Sequence, residues 1–198
     1  TIGQTTNSLW LYAGTGDYER IGNTGNGTDN LMIGIRDPHY PDYRDVAVPK
    51  KAADLTKCKN TTKDKTGNKC PTSTDTGWYI KLDKSQKVTA EPTVSSGLVY
   101  FPIYQPTSSV NKCSLGDAFI CGVDDECGTN FSSKLKNLRR GDTCKYVGQG
   151  VLSKIVVFAG KLFANIAGQS AGSIKDLVSI EAAAGGTSSY RSSWRQNY

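Results

Sequence analysis

The sequence predicts an all-β protein: antiparallel strands in two to three propeller-like blades with long loops, forming an incomplete propeller. Three observations lead there. Short apolar and aromatic runs recur between turn residues, with 21 glycines in 198 residues. Apolar residues reach only 37% of the chain, which suits short strands and long loops. A strand–glycine–strand unit occurs twice, at 91–101 and 153–164, and a unit repeated at long spacing is what propeller blades with loop insertions produce.

The elements follow in order. Leu9-Trp10-Leu11-Tyr12-Ala13 reads as a strand ending at Gly14-Thr15-Gly16. A polar loop over 17–30 leads to Leu31-Met32-Ile33-Gly34-Ile35, so these two runs form a hairpin. Gly77-Trp78-Tyr79-Ile80-Lys81-Leu82 alternates as a strand does. Ser96-Gly97 and Ala159-Gly160 are tight turns, each between two strands. Ala118-Phe119-Ile120-Cys121-Gly122-Val123 is a further strand, closed by a turn at Asp124-Asp125. Helix is scarce: 132–140 allows a turn or two, 173–184 is ambiguous, and 190–195 reads as a weak last strand. The whole of 1–198 is read as one β domain, with 44–76 as a polar loop insertion pinned by a disulfide.

Six cysteines with no C-x-x-C pair, and His39 as the sole histidine, point to disulfides rather than a zinc site. Disulfides imply export to an oxidising compartment, and Thr1 is then expected to be either a processing site left by signal-sequence removal or the start of an excised fragment. Local loop closure favours Cys58–Cys70, then Cys127–Cys144, leaving Cys113–Cys121. The last pair is incompatible with one straight strand over 115–123, which would hold the sulfurs too far apart. The longest apolar stretch, 155–167, is broken by Gly160, Lys161 and Asn165, so no membrane span is expected. Net charge is +6, and Lys134, Lys136, Arg139 and Arg140 form the only basic cluster, too sparse for a nucleic-acid surface.

Catalytic chemistry finds little support. No Gly-x-Ser-x-Gly elbow accompanies His39, and Gly14-Thr15-Gly16 lacks the third glycine and helix of a dinucleotide fingerprint. Asp124, Asp125 and Glu126 are weak calcium candidates, as is the oxygen-rich 17–29 loop; turn formation explains the former equally well. Asn26, Asn60 and Asn130 each begin an Asn-x-Ser/Thr triplet and are glycosylation candidates.

Several stretches resemble the C-terminal β-propeller domain of the PilC/PilY-type adhesins of the bacterial type IV pilus. They are Trp10-Leu11-Tyr12-Ala13-Gly14-Thr15-Gly16-Asp17-Tyr18, Leu31 to Asp37, Gly77 to Leu82, Glu91-Pro92 through Pro106 with Cys113, and Tyr190 to Gln196. They occur in family order across nearly the whole chain. Cys121 and Cys127 depart from the pattern. So does the missing acidic calcium loop before Gly-Thr-Gly, so calcium, a property of the family, is carried over to no residue here and no cofactor is predicted. The resemblance implies a non-enzymatic protein exported through the periplasm to the cell surface or pilus, serving pilus assembly and adhesion.

Two or three blades fall short of the four to eight that close a ring. Another polypeptide, such as a pilin or a pilus-tip component, is therefore expected to complete the fold; a homo-oligomer is the other arrangement. The alternative functions are a subunit of an extracellular filament or sheath assembling through edge strands, and a fragment of a secreted carbohydrate-active enzyme.

Overall fold

The computed structural model describes residues 1–4, 8–17, 19–24, 29–37, 40, 55–63, 70–83, 85–107, 115–129, 143–168 and 177–182. Fourteen strands fall into three sheets, and no α-helix occurs among these residues.

In the first sheet, β1 (Ile2–Gln4), β2 (Leu9–Gly14), β3 (Leu31–Asp37) and β5 (Gly77–Lys81) lie side by side in chain order, each antiparallel to the next. The remaining strand, β4 (Cys58–Asn60), runs parallel to β5 on its outer side. It comes from the polar 44–76 insertion, whose described part is thus joined to the sheet. The second sheet places β6 (Lys87–Val88) and β7 (Thr93–Ser95) end to end along β8 (Leu98–Gln105), followed by β9 (Asp117–Asp124) and β10 (Cys144–Gln149). In the third, β11 (Val151–Leu152) and β12 (Val156–Phe158) follow one another along β13 (Lys161–Ala167), with β14 (Leu177–Glu181) on its other side. The ambiguous 173–184 stretch therefore contains a strand. The segments 132–140 and 190–195 lie outside the described residues.

Both two-residue hairpins form as their sequences require. Ser96 and Gly97 have φ of 53° and 75°, and Ala159 and Gly160 have 47° and 72°. Positive φ at both central positions is the type I′ geometry, whose twist matches that of the flanking strands.

Side-chain alternation decides how the sheets pack. On the second sheet, Val99, Phe101, Ile103, Cys121 and Val123 point one way and join Trp10, Tyr12, Met32 and Trp78 of the first sheet. Leu98, Tyr100, Ala118 and Ile120 point the other way and join Leu152, Leu162, Ala164 and Ile180 of the third. The middle sheet is thus buried on both faces. This explains why Leu98-Val99-Tyr100-Phe101 reads as an unbroken apolar run, where a half-exposed strand would alternate.

Apolar side chains are exposed on both outer faces, and on the third sheet they share that face with Lys161, Asn165, Ser179 and Glu181. Ile2, Leu11 and Ile35 form one cross-strand row on the first sheet, with Ile2 64% exposed. Val156, Phe158, Phe163 and Leu177 lie on the far face of the third, with Phe158 71% exposed.

Lys87 is the one charged residue buried in the described core. Its Nζ donates to the carbonyls of Arg20, Ile21 and Asn23 at 2.9, 2.9 and 2.8 Å. Burial pulls its ammonium below the usual lysine range, and Asp17 opposes that pull. The polar loop after Gly14-Thr15-Gly16 is thereby tied to the second sheet by a side chain rather than by a core of its own. Lys87→Met is expected to destabilise the chain by about 2–3 kcal/mol, because three carbonyls lose a charged donor together. Urea denaturation measures the loss. Hydrogen exchange localised to residues 19–24 distinguishes it from general core damage.

Candidate functional site

Trp78 anchors the contact between the first two sheets. Its ring meets that of Tyr12 at 6.1 Å, across Gly34, which lies between them in the strand register. The Trp78 Nε1 donates to the Asp125 carbonyl at 2.8 Å, and the Tyr12 hydroxyl donates to the same oxygen at 3.2 Å. Burial, reinforced by the Asp125, Glu126 and Asp124 carboxylates, pushes the Tyr12 phenol far above its ordinary range.

The calcium candidates lie in the turn that ends β9. Asp124 Oδ1 accepts from the backbone N–H groups of Glu126 and Cys127 at 3.2 and 3.1 Å, an Asx-type cap. Gly128 N–H closes the turn on the Asp124 carbonyl at 2.8 Å. Turn formation accounts for the Asp124 carboxylate. Among the described residues no group of three or more potential metal ligands converges anywhere.

The disulfides correct all three expected pairings. Cys70 bonds to Cys127, not to Cys58. Cys121 bonds to Cys144, so neither Cys127–Cys144 nor Cys113–Cys121 forms. The reason is register: Cys144 on β10 stands directly opposite Cys121 on β9, with Cα atoms 3.9 Å apart. Proximity along the chain was the wrong guide, because sheet pairing sets which cysteines meet. Cys58 is free and buried, its sulfur 3.3 Å from the Thr76 hydroxyl. The 44–76 insertion is therefore pinned through Cys70 to the β9 turn, not closed on itself.

Beside these features lies a cavity of about 380 Å³ between the first two sheets. Ile80 and Leu82 close one side and Phe101, Ile103 and Phe119 the other. Its polar lining includes Asp83, Gln86 and Thr129. Gln86 Oε1 accepts from the Asp83 backbone N–H at 3.1 Å, which fixes the β5–β6 turn. The Thr61 hydroxyl, also on the lining, sits 3.1 and 3.0 Å from the Tyr79 and Gly128 carbonyls and donates between them. Thr62 accepts the Lys81 N–H, and the Lys81 ammonium pairs with Asp29. No sequence motif marked this cavity. Its polar groups come from the β5–β6 turn, the segment after β4 and the turn after β9, which only the fold brings together.

Of the glycosylation candidates, Asn60 ends β4 half-buried, its Oδ1 accepting from the Thr62 N–H at 3.1 Å. Asn26, Asn130, His39, Cys113 and the basic cluster at Lys134, Lys136, Arg139 and Arg140 lie outside the described residues. Among the described residues, no helix is long and apolar enough to cross a membrane. The two disulfides fit an oxidising, extracellular or periplasmic environment. Comparison with known proteins found no matching family model, no matching curated protein and no matching solved structure.

Proposed function

We propose that the chain contributes consecutive blades to a larger β-propeller in a non-enzymatic surface assembly. The assembly is of the type IV pilus adhesin class that the sequence resembles. The observation that carries this reading is the stack of three mainly antiparallel sheets with exposed apolar side chains on the outer face at each end. Blades of a propeller pack face to face in this order, and the two ends of an incomplete ring would each present such a face. Exposed large apolar side chains such as Ile2, Leu11, Val156 and Phe158 are what a partner surface would cover. A further polypeptide packing on both ends would close the fold. Loops at the blade ends would then meet pilins or external surfaces, in support of pilus assembly and adhesion.

Native material is expected to co-purify with a stoichiometric component that protects both ends from limited proteolysis. Leu11→Asp and Phe158→Asp should each weaken that association at least tenfold while leaving near-UV circular dichroism unchanged, since both side chains are exposed in the isolated chain. A monodisperse, protease-resistant monomer indifferent to both changes would sink the reading. Electron micrographs showing a homopolymer of this chain would favour the filament or sheath arrangement instead.

A further inference from the structure

We propose that the cavity between the first and second sheets is a binding site for a neutral saccharide. The inference rests on the surface-adhesion reading and names a ligand class for it. A pyranose ring presents an apolar C–H face and a rim of hydroxyl groups, so its site needs an apolar or aromatic wall facing a few fixed donors and acceptors. The cavity is divided in that way. The partly exposed Phe119 supplies the wall, backed by the buried Phe101 and Ile103. Phe119 is held edge-on against Tyr146, ring centroids 5.7 Å apart, which fixes its orientation.

The polar side offers complementary groups that have no hydrogen-bond partner among the described residues: the Asp83 carboxylate, the Gln86 Nε2 and the Thr129 hydroxyl. A carboxylate accepts from two vicinal hydroxyls and an amide nitrogen donates to a third oxygen, the pairing a sugar edge requires. Charge narrows the class. The Lys81 ammonium on the lining is already paired with Asp29, so an acidic ligand would face Asp83 without a free cation from that residue. The volume of about 380 Å³ suits one or two sugar rings.

The walls are also held in place before any ligand arrives. Cys144 on the lining is bonded to Cys121, and Cys127, next to the lining residues Gly128 and Thr129, is bonded to Cys70. Covalent ties in these segments lower the ordering cost of binding a small polar ligand.

The test is titration of the oxidised 1–198 chain with a panel of neutral mono- and disaccharides, alongside sialylated, sulfated and amino sugars. At least one neutral sugar is expected to bind, with Asp83→Asn and Gln86→Ala each weakening it about tenfold, the effect of one lost hydrogen bond to a fixed partner. Phe119→Leu, which keeps the wall apolar but removes the ring, should weaken it similarly. Near-UV circular dichroism and melting temperature confirm that each variant is folded. Absence of binding by every neutral sugar up to about 10 mM, the weak end of specific affinities, would overturn the proposal. So would binding that survives all three changes, or a preference for acidic sugars. Surface adherence is measured separately: adherence retained by Asp83→Asn would refute the cavity while leaving the adhesion reading intact. Sugar binding without any adherence would do the reverse.

Discussion

Trp78→Ala is expected to cost about 4 kcal/mol and to loosen the contact between the first two sheets, measured by urea denaturation of the oxidised chain. Its side chain is completely buried and donates to Asp125, so the change removes both apolar contacts and a buried hydrogen bond. Two glycines show how closely the ring is enclosed. A Cβ at Gly34 would sit 2.4 Å from the ring Cε2, and one at Gly128 would sit 2.3 Å from Cδ2. Gly128 also has a φ of +64°, a left-handed conformation that costs any other residue about 1 kcal/mol or more. Gly128→Ala is therefore expected to destabilise by at least about 3 kcal/mol, combining overpacking with backbone strain. In the Trp78→Ala background the added methyl group meets no ring, and only the backbone term remains. The two changes should be less damaging together than their sum by about 1–2 kcal/mol. Strict additivity would mean that the ring and Gly128 do not share the contact described.

The turns were the most legible part of the fold. Ser96-Gly97 and Ala159-Gly160 announce themselves by local chemistry, since few residue pairs accept two positive φ angles. The Asp124 turn is similarly local, one side chain capping its own backbone. Short polar strands were not legible. Lys87–Val88 and Cys58–Asn60 carry no periodicity of their own, and become strands only because β8 and β5 offer unpaired edges. Likewise Cys144–Gln149 has no fully buried residue, and its pairing with β9 is set by partner and register. The cysteine pairing failed for that reason, since register is a property of two distant segments. The cavity followed the same rule. Asp83 and Gln86 are unremarkable in a turn sequence, and Thr129 in another. Their juxtaposition depends on how the first sheet stacks on the second.

The two disulfides should differ sharply in accessibility although both stabilise the fold. Cys70 is exposed, whereas Cys121 is wholly buried in the core between the first two sheets. Under stepwise reduction without denaturant, Cys70–Cys127 is expected to open first, and Cys121–Cys144 only once the core opens, because a reductant must reach the sulfur it attacks. Removal of either pair by alanine substitution constrains the unfolded chain less. The pair separations of 57 and 23 residues translate into about 4 kcal/mol for Cys70–Cys127 and about 3 kcal/mol for Cys121–Cys144. The second loss also leaves a gap opposite Phe101, the β8 residue facing Cys121 in the ladder, so its total should approach the first. Peptide mapping after graded reduction reads the order, and denaturation of the Cys70→Ala/Cys127→Ala and Cys121→Ala/Cys144→Ala chains reads the sizes. If Cys121–Cys144 opened first in the folded chain, the stacking of the second sheet against the first would have to be looser than its buried residues describe. An insertion that stayed fixed to the β9 turn after Cys70–Cys127 is opened would instead mean that the Thr61 contacts to Tyr79 and Gly128 hold it without the covalent link.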